Sequence, residues 1–286
     1  MSLTAVHGVR SRWVGWMRPS VRKVGAVQVA TGVLAVGALF TGVSWPWWAL
    51  ALLGYFFYAC VGHSVGYHRY FAHRSFPAPR WAEVMFTVAG TLGCVGSPVG
   101  WAQMHRRHHL HSDREGDPYT AHRYPRPTLE ALLMSGYGSE PGSARALRRM
   151  FRADRLQVFV MRYYFGIVAV FAGALLLVDW RWFLYGWAVP VGWTLWMAGL
   201  DAWATHRHGY RNHDTPDGSR NLWWCSLLSW GEGWHNNHHA NPRAWSYRER
   251  WWEWDPGATV VWAILRLSSR GGRRGAASEG VRRPGL

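Results

Sequence analysis

Fifteen histidines carry most of the chemistry available to this chain, and their spacing is patterned. His105-Arg-Arg-His108-His109 returns in form as His235-Asn-Asn-His238-His239, and a looser pair, His68 and His73, precedes both. On a helix, positions i, i+3 and i+4 project from one face, so each triplet can aim three imidazoles at one point. Imidazole is the commonest protein metal ligand and suits iron, copper, zinc and nickel. One such cluster says little, but three on one chain, with His206 in a further polar stretch, point to a metal centre.

Nine residues form the set: His68, His73, His105, His108, His109, His206, His235, His238 and His239. One ion cannot use nine ligands, whereas two ions at five or six coordination can. Closed structural zinc takes four ligands and favours cysteine. Cys60, Cys94 and Cys225 lie in apolar surroundings without C-x-x-C spacing and read as buried free thiols. His63 reads as a polar helix residue, and His7, His111, His122, His208 and His213 match no position of the pattern. Asp113, Asp117, Glu232 and Asn236 are placed to accept ring N–H bonds and fix imidazole tautomers; loop capping is the plainer use of the same side chains.

Helices must bring these boxes together. Of the 286 residues 49% are hydrophobic, and the apolar ones are blocked rather than dispersed. The formal charge is +16, nearly all arginine, with Lys23 the sole lysine. These arginines flank apolar runs, which fits lipid headgroups and the positive-inside rule and does not fit a nucleic-acid surface. About 20 apolar residues cross a bilayer. The expected fold is therefore an all-α integral membrane protein. Its spans fall at about 24–43, 47–66, 158–178 and 183–200, and Pro190 kinks the last. Residues 1–23, with Arg10, Arg12, Arg18, Arg22 and Lys23, form a basic lead; residues 24–267 are the membrane domain; 268–286 read as a disordered basic tail. A full crossing by residues 81–101 would separate the first two boxes, so this Gly-broken stretch reads as interfacial or re-entrant. Residues 144–152 suggest a short basic helix on the membrane. On an ideal helix His73 is rotated about 140° from His68, which leaves open whether they serve different ions or the helix bends between them.

The motifs Gly66-Tyr-His-Arg-Tyr-Phe-Ala-His-Arg-Ser-Phe76, His105-x2-His108-His109, Asp113-Arg-Glu-Gly-Asp-Pro118, His206-Arg-His-Gly-Tyr-Arg211 and Gly231-Glu-Gly-Trp-His235-Asn-Asn-His238-His239 resemble those of membrane fatty acid desaturases. The acyl-CoA delta-9, stearoyl-CoA-like branch is the nearest, and the likeness covers roughly residues 25–267. It implies four transmembrane helices under a cytosolic histidine-rich cap with two iron ions. It also implies O2 and two electrons as co-substrates, and a cis double bond as product. The acyl chain would pass through a bent tunnel, for which Trp101, Trp203 and Trp234 are candidate walls. Termini and active site would face the cytoplasm from a bacterial inner membrane.

Two departures bear on the chemistry. The family asparagine four residues before the lone histidine is Ala202 here, so either water fills that position or the adjacent Asp201 reaches in. The Arg-Asp pair that helps hold CoA in the animal enzymes is replaced by Gln103 and Met104, leaving acyl-CoA, an acyl carrier protein or a phospholipid as the acyl donor. No haem-binding, ferredoxin-cysteine or G-x-G-x-x-G pattern occurs in these residues, so electrons are expected from a separate ferredoxin- or rubredoxin-like carrier with its reductase. A hydroxylase, ketolase or acetylenase of the same superfamily is the nearest alternative. A histidine-rich membrane metal transporter is the alternative of another class, disfavoured by spans with almost no polar interior.

Overall fold

The computed structural model describes residues 21–119, 124–133 and 154–271. Arg10, Arg12, Arg18, His122, the basic stretch 144–152 and residues 272–286 lie outside the described residues, as do the side chains of Arg22 and Lys23. Helices dominate: α1 (Val21–Ala38), α2 (Trp45–Tyr55) running directly into α3 (Phe56–Ala72), α4 (Arg80–Leu92), α5 (Pro98–His111), α6 (Leu129–Leu132), α7 (Arg155–Val178), α8 (Trp180–Phe183), α9 (Leu184–Ala188), α10 (Val189–Ala204), α11 (Trp223–Leu228), α12 (His235–Ala240) and α13 (Pro256–Gly271). Among the described residues, extended pairing is limited to the bridges Tyr210–Asn221 and Asn221–Trp234.

Two helices, Trp45–Ala72 and Arg155–Val178, are long and apolar enough to cross a membrane, and Val24–Ala38 is a shorter apolar helix. At 24 residues, α7 extends about 36 Å. It turns Val158, Phe159, Val170, Leu176, Leu177 and Val178 outward. Asp154 starts it, accepting from the N–H groups of Leu156 (2.9 Å) and Gln157 (3.4 Å). The same carboxylate takes both Arg80 Nη groups, at 2.5 and 3.0 Å, tying α7 to α4.

With 13 residues α4 is too short to cross. Its Trp81, Val84 and Val88 are exposed along one face, while Ala82, Phe86 and Ala89 are buried on the other. The chain then turns at Gly93–Ser97, and Ser97 caps α5 by accepting from Gly100 N–H at 3.2 Å.

Two local features differ from expectation. Through α3 the backbone is wound more widely than an α-helix, closing on i→i+5 bonds such as His73 N–H to His68 O at 3.2 Å. A second wide turn, α9, immediately precedes Pro190, whose missing N–H removes a bond from that turn. At the other end, α13 continues through Ser268 and Ser269 to Gly271, so residues 268–271 are helical and not part of a disordered segment.

Close backbone approach holds α3 against α4. A Cβ on Gly62 would lie 2.5 Å from Gly90 N and 2.6 Å from Ala89 C. Overpacking typically costs about 1–3 kcal/mol, and here the obstacles are backbone atoms that cannot rotate away. Gly62→Val is expected to lower the thermal unfolding midpoint in detergent, whereas Gly37→Ala, with nothing within 4 Å of its Cβ, should leave it unchanged.

Candidate metal centre

Four segments deliver the histidines. α3 carries His68 and ends at His73; successive turns of α5 present His105, His108 and His109; His206 follows the end of α10; and α12 presents His235, His238 and His239. The six-residue α12 is too short to be stable alone. Buried Asn221 caps it, its Oδ1 accepting from the N–H groups of Asn236 (3.0 Å) and Asn237 (3.2 Å). Asn237 reaches the other way, donating to Tyr247 O and Glu253 Oε2 at 2.8 and 2.9 Å. Asparagines thus anchor the outer side of α12 while its histidines face the site.

All nine histidines fall into two groups, His68, His73, His105, His109 and His238, and His108, His206, His235 and His239. Within each, one nitrogen per ring lies within 4.8 Å of every other. Nε2 of His109 is 3.0 Å from that of His105 and 2.9 Å from that of His238, which is 2.9 Å from Nε2 of His68. In the second group the close pairs are His108–His239 at 3.3 Å and His206–His235 at 3.1 Å.

The opposite ring edges decide what these approaches are. His108 Nδ1 bonds Asp117 at 2.9 Å, His206 Nδ1 bonds Asp113 at 2.8 Å, and His239 Nδ1 bonds Asp217 at 2.6 Å. His68 Nδ1 bonds Glu232. A neutral imidazole has one N–H, and these carboxylates take it. Nε2 of His108 and His239 therefore face each other as two bare lone pairs, which no hydrogen bond joins and a cation would. His73 Nε2 is likewise buried with no hydrogen-bond partner. Metal–imidazole bonds of about 2.1 Å put neighbouring nitrogens about 3.0 Å apart at right angles and about 3.4 Å apart in a tetrahedron. The five-ring group matches the right-angled case, and the four-ring group falls between the two. The residues fit two metal ions held by nitrogen alone.

Electrostatics prepare the rings for that role. Burial, reinforced by neighbouring positive charge, drives His73, His105, His108, His109, His235 and His238 well below the ordinary histidine value. Burial takes His239 down to about 4 against the pull of Asp217. These rings are neutral near pH 7, the form that binds metal. Burial opposes ionisation of Asp113, but bonds from His206 and the Gly218 N–H outweigh it and bring the carboxyl to about 2. Glu232, raised by burial, is steadied by a fully buried Arg69, which donates to its Oε1 at 2.9 Å and to both Asp255 oxygens at 3.0 and 3.1 Å. Gly231, at φ +103°, leaves room for that chain: a Cβ there would meet Asp255 Oδ1 at 2.2 Å.

Several expectations need correction. His68 and His73 share one group, their rings 5.0 Å apart, because the i→i+5 winding returns a five-residue spacing to one face. Asn236 holds no ring; its Oδ1 accepts from the N–H groups of Asn212 and His213, both at 2.8 Å. Asp201 joins neither group, its Oδ1 accepting from Cys225 Sγ at 2.9 Å and Ser229 Oγ at 3.1 Å. Trp101 stacks on His105 with centroids 4.8 Å apart. Trp203 and Trp234 donate instead to Tyr124 O and Trp254 O. None of the three tryptophans lines the cavity between α2, α3 and α10, whose walls include Tyr55, Ala59, His63, Thr194, Met197 and Ala198. His63 stands apart from both groups, in that cavity wall.

Sequence reasoning missed Asp217, Arg69, Asp255 and Tyr247. Asp217 had a signal in the Pro216-Asp217-Gly218-Ser219 turn, where a carboxylate bonds its own backbone and keeps one oxygen free for His239. An arginine set between His68 and a run of aromatic residues was the clue to Arg69. Asp255 and Tyr247 had none. The Tyr247 ring lies 4.6 Å from that of His238 and under the Arg69 guanidinium, 4.0 Å away.

Fold and site together define an all-α protein with long apolar helices and two buried histidine groups suited to metal. The chain belongs to the fatty acid desaturase family, whose profile matches residues 42–259, and it is an oxidoreductase. It is 35% identical over 240 residues to an sn-1 stearoyl-lipid 9-desaturase of Anabaena variabilis, covering 82% of this chain and 86% of that one. An sn-2 palmitoyl-lipid 9-desaturase of Nostoc sp. (strain 36) is 33% identical over 258 residues, covering 84% and 85%. The delta-9 acyl-lipid desaturase 1 of Arabidopsis thaliana is 34% identical over 231 residues, covering 78% and 72%.

Two outcomes are expected. Removing an outer carboxylate from a metal-bound imidazole typically costs about 10–100-fold in affinity, so Asp217→Ala should bind metal more weakly by that factor, read as metal per chain after dialysis against a buffered chelator. Rings with depressed pKa take up fewer protons folded than unfolded. The chelator-treated protein should therefore keep its stability above the ordinary histidine value of 6.5 and lose it as the pH falls from there to about 4, where His239 titrates. A thermal unfolding midpoint that stays level or rises on acidification through this window contradicts the assignment.

Proposed function

We propose that this desaturase holds two iron ions and converts a saturated fatty acyl chain to a cis-monounsaturated one. Two adjacent methylenes each give up one hydrogen; together with O2, two electrons and two protons they form the double bond and two waters. The facing lone pairs of His108 and His239 carry the metal reading, and the family carries the reaction. Bound iron would supply O2 activation, the step that protein side chains cannot perform. His68, His73, His105, His109 and His238 would hold one ion, and His108, His206, His235 and His239 the other. With Asp201 engaged elsewhere and alanine at position 202, the four-ring group leaves room for an exchangeable ligand, the mark of a catalytic rather than a structural ion.

The remaining residues bind, orient and exclude water. Asp113, Asp117, Asp217 and Glu232 fix ring tautomers so that Nε2 faces inward. The cavity between α2, α3 and α10, walled in part by Glu232, is water-sized and does not itself hold an acyl chain. An acyl chain has few polar handles, so its reacting carbons would be selected by how far it enters beside the rings. Four crossings, α1, the α2–α3 helix, α7 and the α8–α10 segment, leave the histidines and both termini on the cytoplasmic side of a bacterial inner membrane. The substrate is assigned as a lipid-linked stearoyl or palmitoyl chain and the new bond as position 9, on two supports. The relatives' names carry that chemistry, and Gln103 and Met104, where the animal enzymes hold CoA, are both buried here.

Expression in a desaturase-deficient host should yield a new monounsaturated lipid whose double bond mass spectrometry places at carbon 9. His108→Ala and His238→Ala should cut the product by more than about 100-fold, beyond the loss typical of outer carboxylates, while the chain still inserts. A product that gains oxygen without losing two hydrogens makes the enzyme a hydroxylase and refutes the desaturase reading.

A further inference from the structure

Six of the nine rings are sealed from solvent; His73, His109 and His239 are only half-buried. The chain beside these openings is rich in arginine. Arg74 follows His73, Arg106 follows His105, and Arg243 lies four residues beyond His239. Two contacts draw the three segments into one rim. Arg106 Nε donates to Ala72 O at 2.6 Å, and Ser75 Oγ reaches Pro242 O at 3.5 Å. Arg74 and Arg243 are exposed and Arg106 is half-buried. Arg74 is held at φ +55°, a conformation uncommon for a long side chain.

The charge on this rim is one-sided. Burial, and after it Arg74 and Arg243, lowers the Arg106 pKa, with no carboxylate among the causes. Like charges gathered at one place raise the energy of the isolated protein and lower that of a complex with an anionic surface. The rim also adjoins His73, whose ring touches all four other rings of its group. His73 lies in edge contact with His68 (5.0 Å), and with His105, His109 and His238 (4.8 Å each).

We infer that Arg74, Arg106 and Arg243 form the docking surface for an acidic one-electron carrier protein, with the His73 edge as the point of electron entry. The inference rests on the desaturase reading, which requires two electrons from outside for each O2 consumed. Two carriers dock in turn, and each is oxidised by one electron. The pair of electrons, with two protons from water and two hydrogens from the substrate, completes the reduction of O2 to two waters. Attraction between exposed charges steers such encounters and weakens with salt.

The test uses the full chain in nanodiscs of neutral phosphatidylcholine, with an oxidised acidic [2Fe–2S] ferredoxin as the probe and binding, not turnover, as the readout. Wild type should bind it with an affinity that falls as salt rises. Arg74→Glu combined with Arg243→Glu should weaken binding by about tenfold or more and flatten the salt dependence, with metal content per chain as in wild type. Arg243→Glu alone, farther along the chain from any ring, carries the test if Arg74→Glu disturbs His73. Unchanged ferredoxin affinity in Arg243→Glu overturns the inference. So does a loss confined to anionic phosphatidylglycerol vesicles, which would make the rim a lipid-headgroup site. Product analysis of wild type reports separately on the desaturase reading, so the two can fail independently.

Discussion

The structure depends on uncharged imidazole nitrogens facing one another inside the protein. A single buried nitrogen lone pair costs free energy unless something bonds it, and here Nε2 of His108 and His239 face each other with their only protons committed to carboxylates on the far edge. Protonation would add mutually repelling charges in a buried space. A bound cation satisfies several lone pairs at once, and it explains why nine rings are worth assembling in a buried space.

Each layer around the rings follows from that constraint. Asp113, Asp117, Asp217 and Glu232 act through the ring edge they touch, setting which nitrogen is left bare. Glu232 is itself buried and would favour its neutral form without a cation beside it. Arg69 meets that need and creates another, since a buried guanidinium must be balanced, and Asp255 at the start of α13 balances it. The ion-pair chain therefore runs from a C-terminal helix to a ring on α3. Replacing one member leaves an uncompensated buried charge, which is far more damaging than replacing the set together.

The same economy of position appears in the backbone. The wide winding of α3 brings His68 and His73 to one face, and the turn after the short α4 lets α5 complete the group. Glycines at the α3–α4 contact permit the approach. Metal chemistry and membrane architecture are coupled here, because the helix that carries the first two rings is also one of the two long apolar helices.

The nine histidines were legible because metal ligation demands residue types that rarely cluster by chance, and helical spacing brought most of each box to one face. Long apolar runs likewise announced the helices, since a bilayer leaves few other options for them. Sequence alone could not assign rings to groups: the ideal-helix angle left His68 and His73 apart, and the i→i+5 winding brought them together. Nor could it tell Asp217, which holds a ring, from Asn236, which holds a loop, or see that Asp201 is taken by Cys225 and Ser229. Residue type and spacing fix what a side chain can bond, whereas which partner it meets is decided by segments far apart in the chain, and only the folded packing brings those segments together.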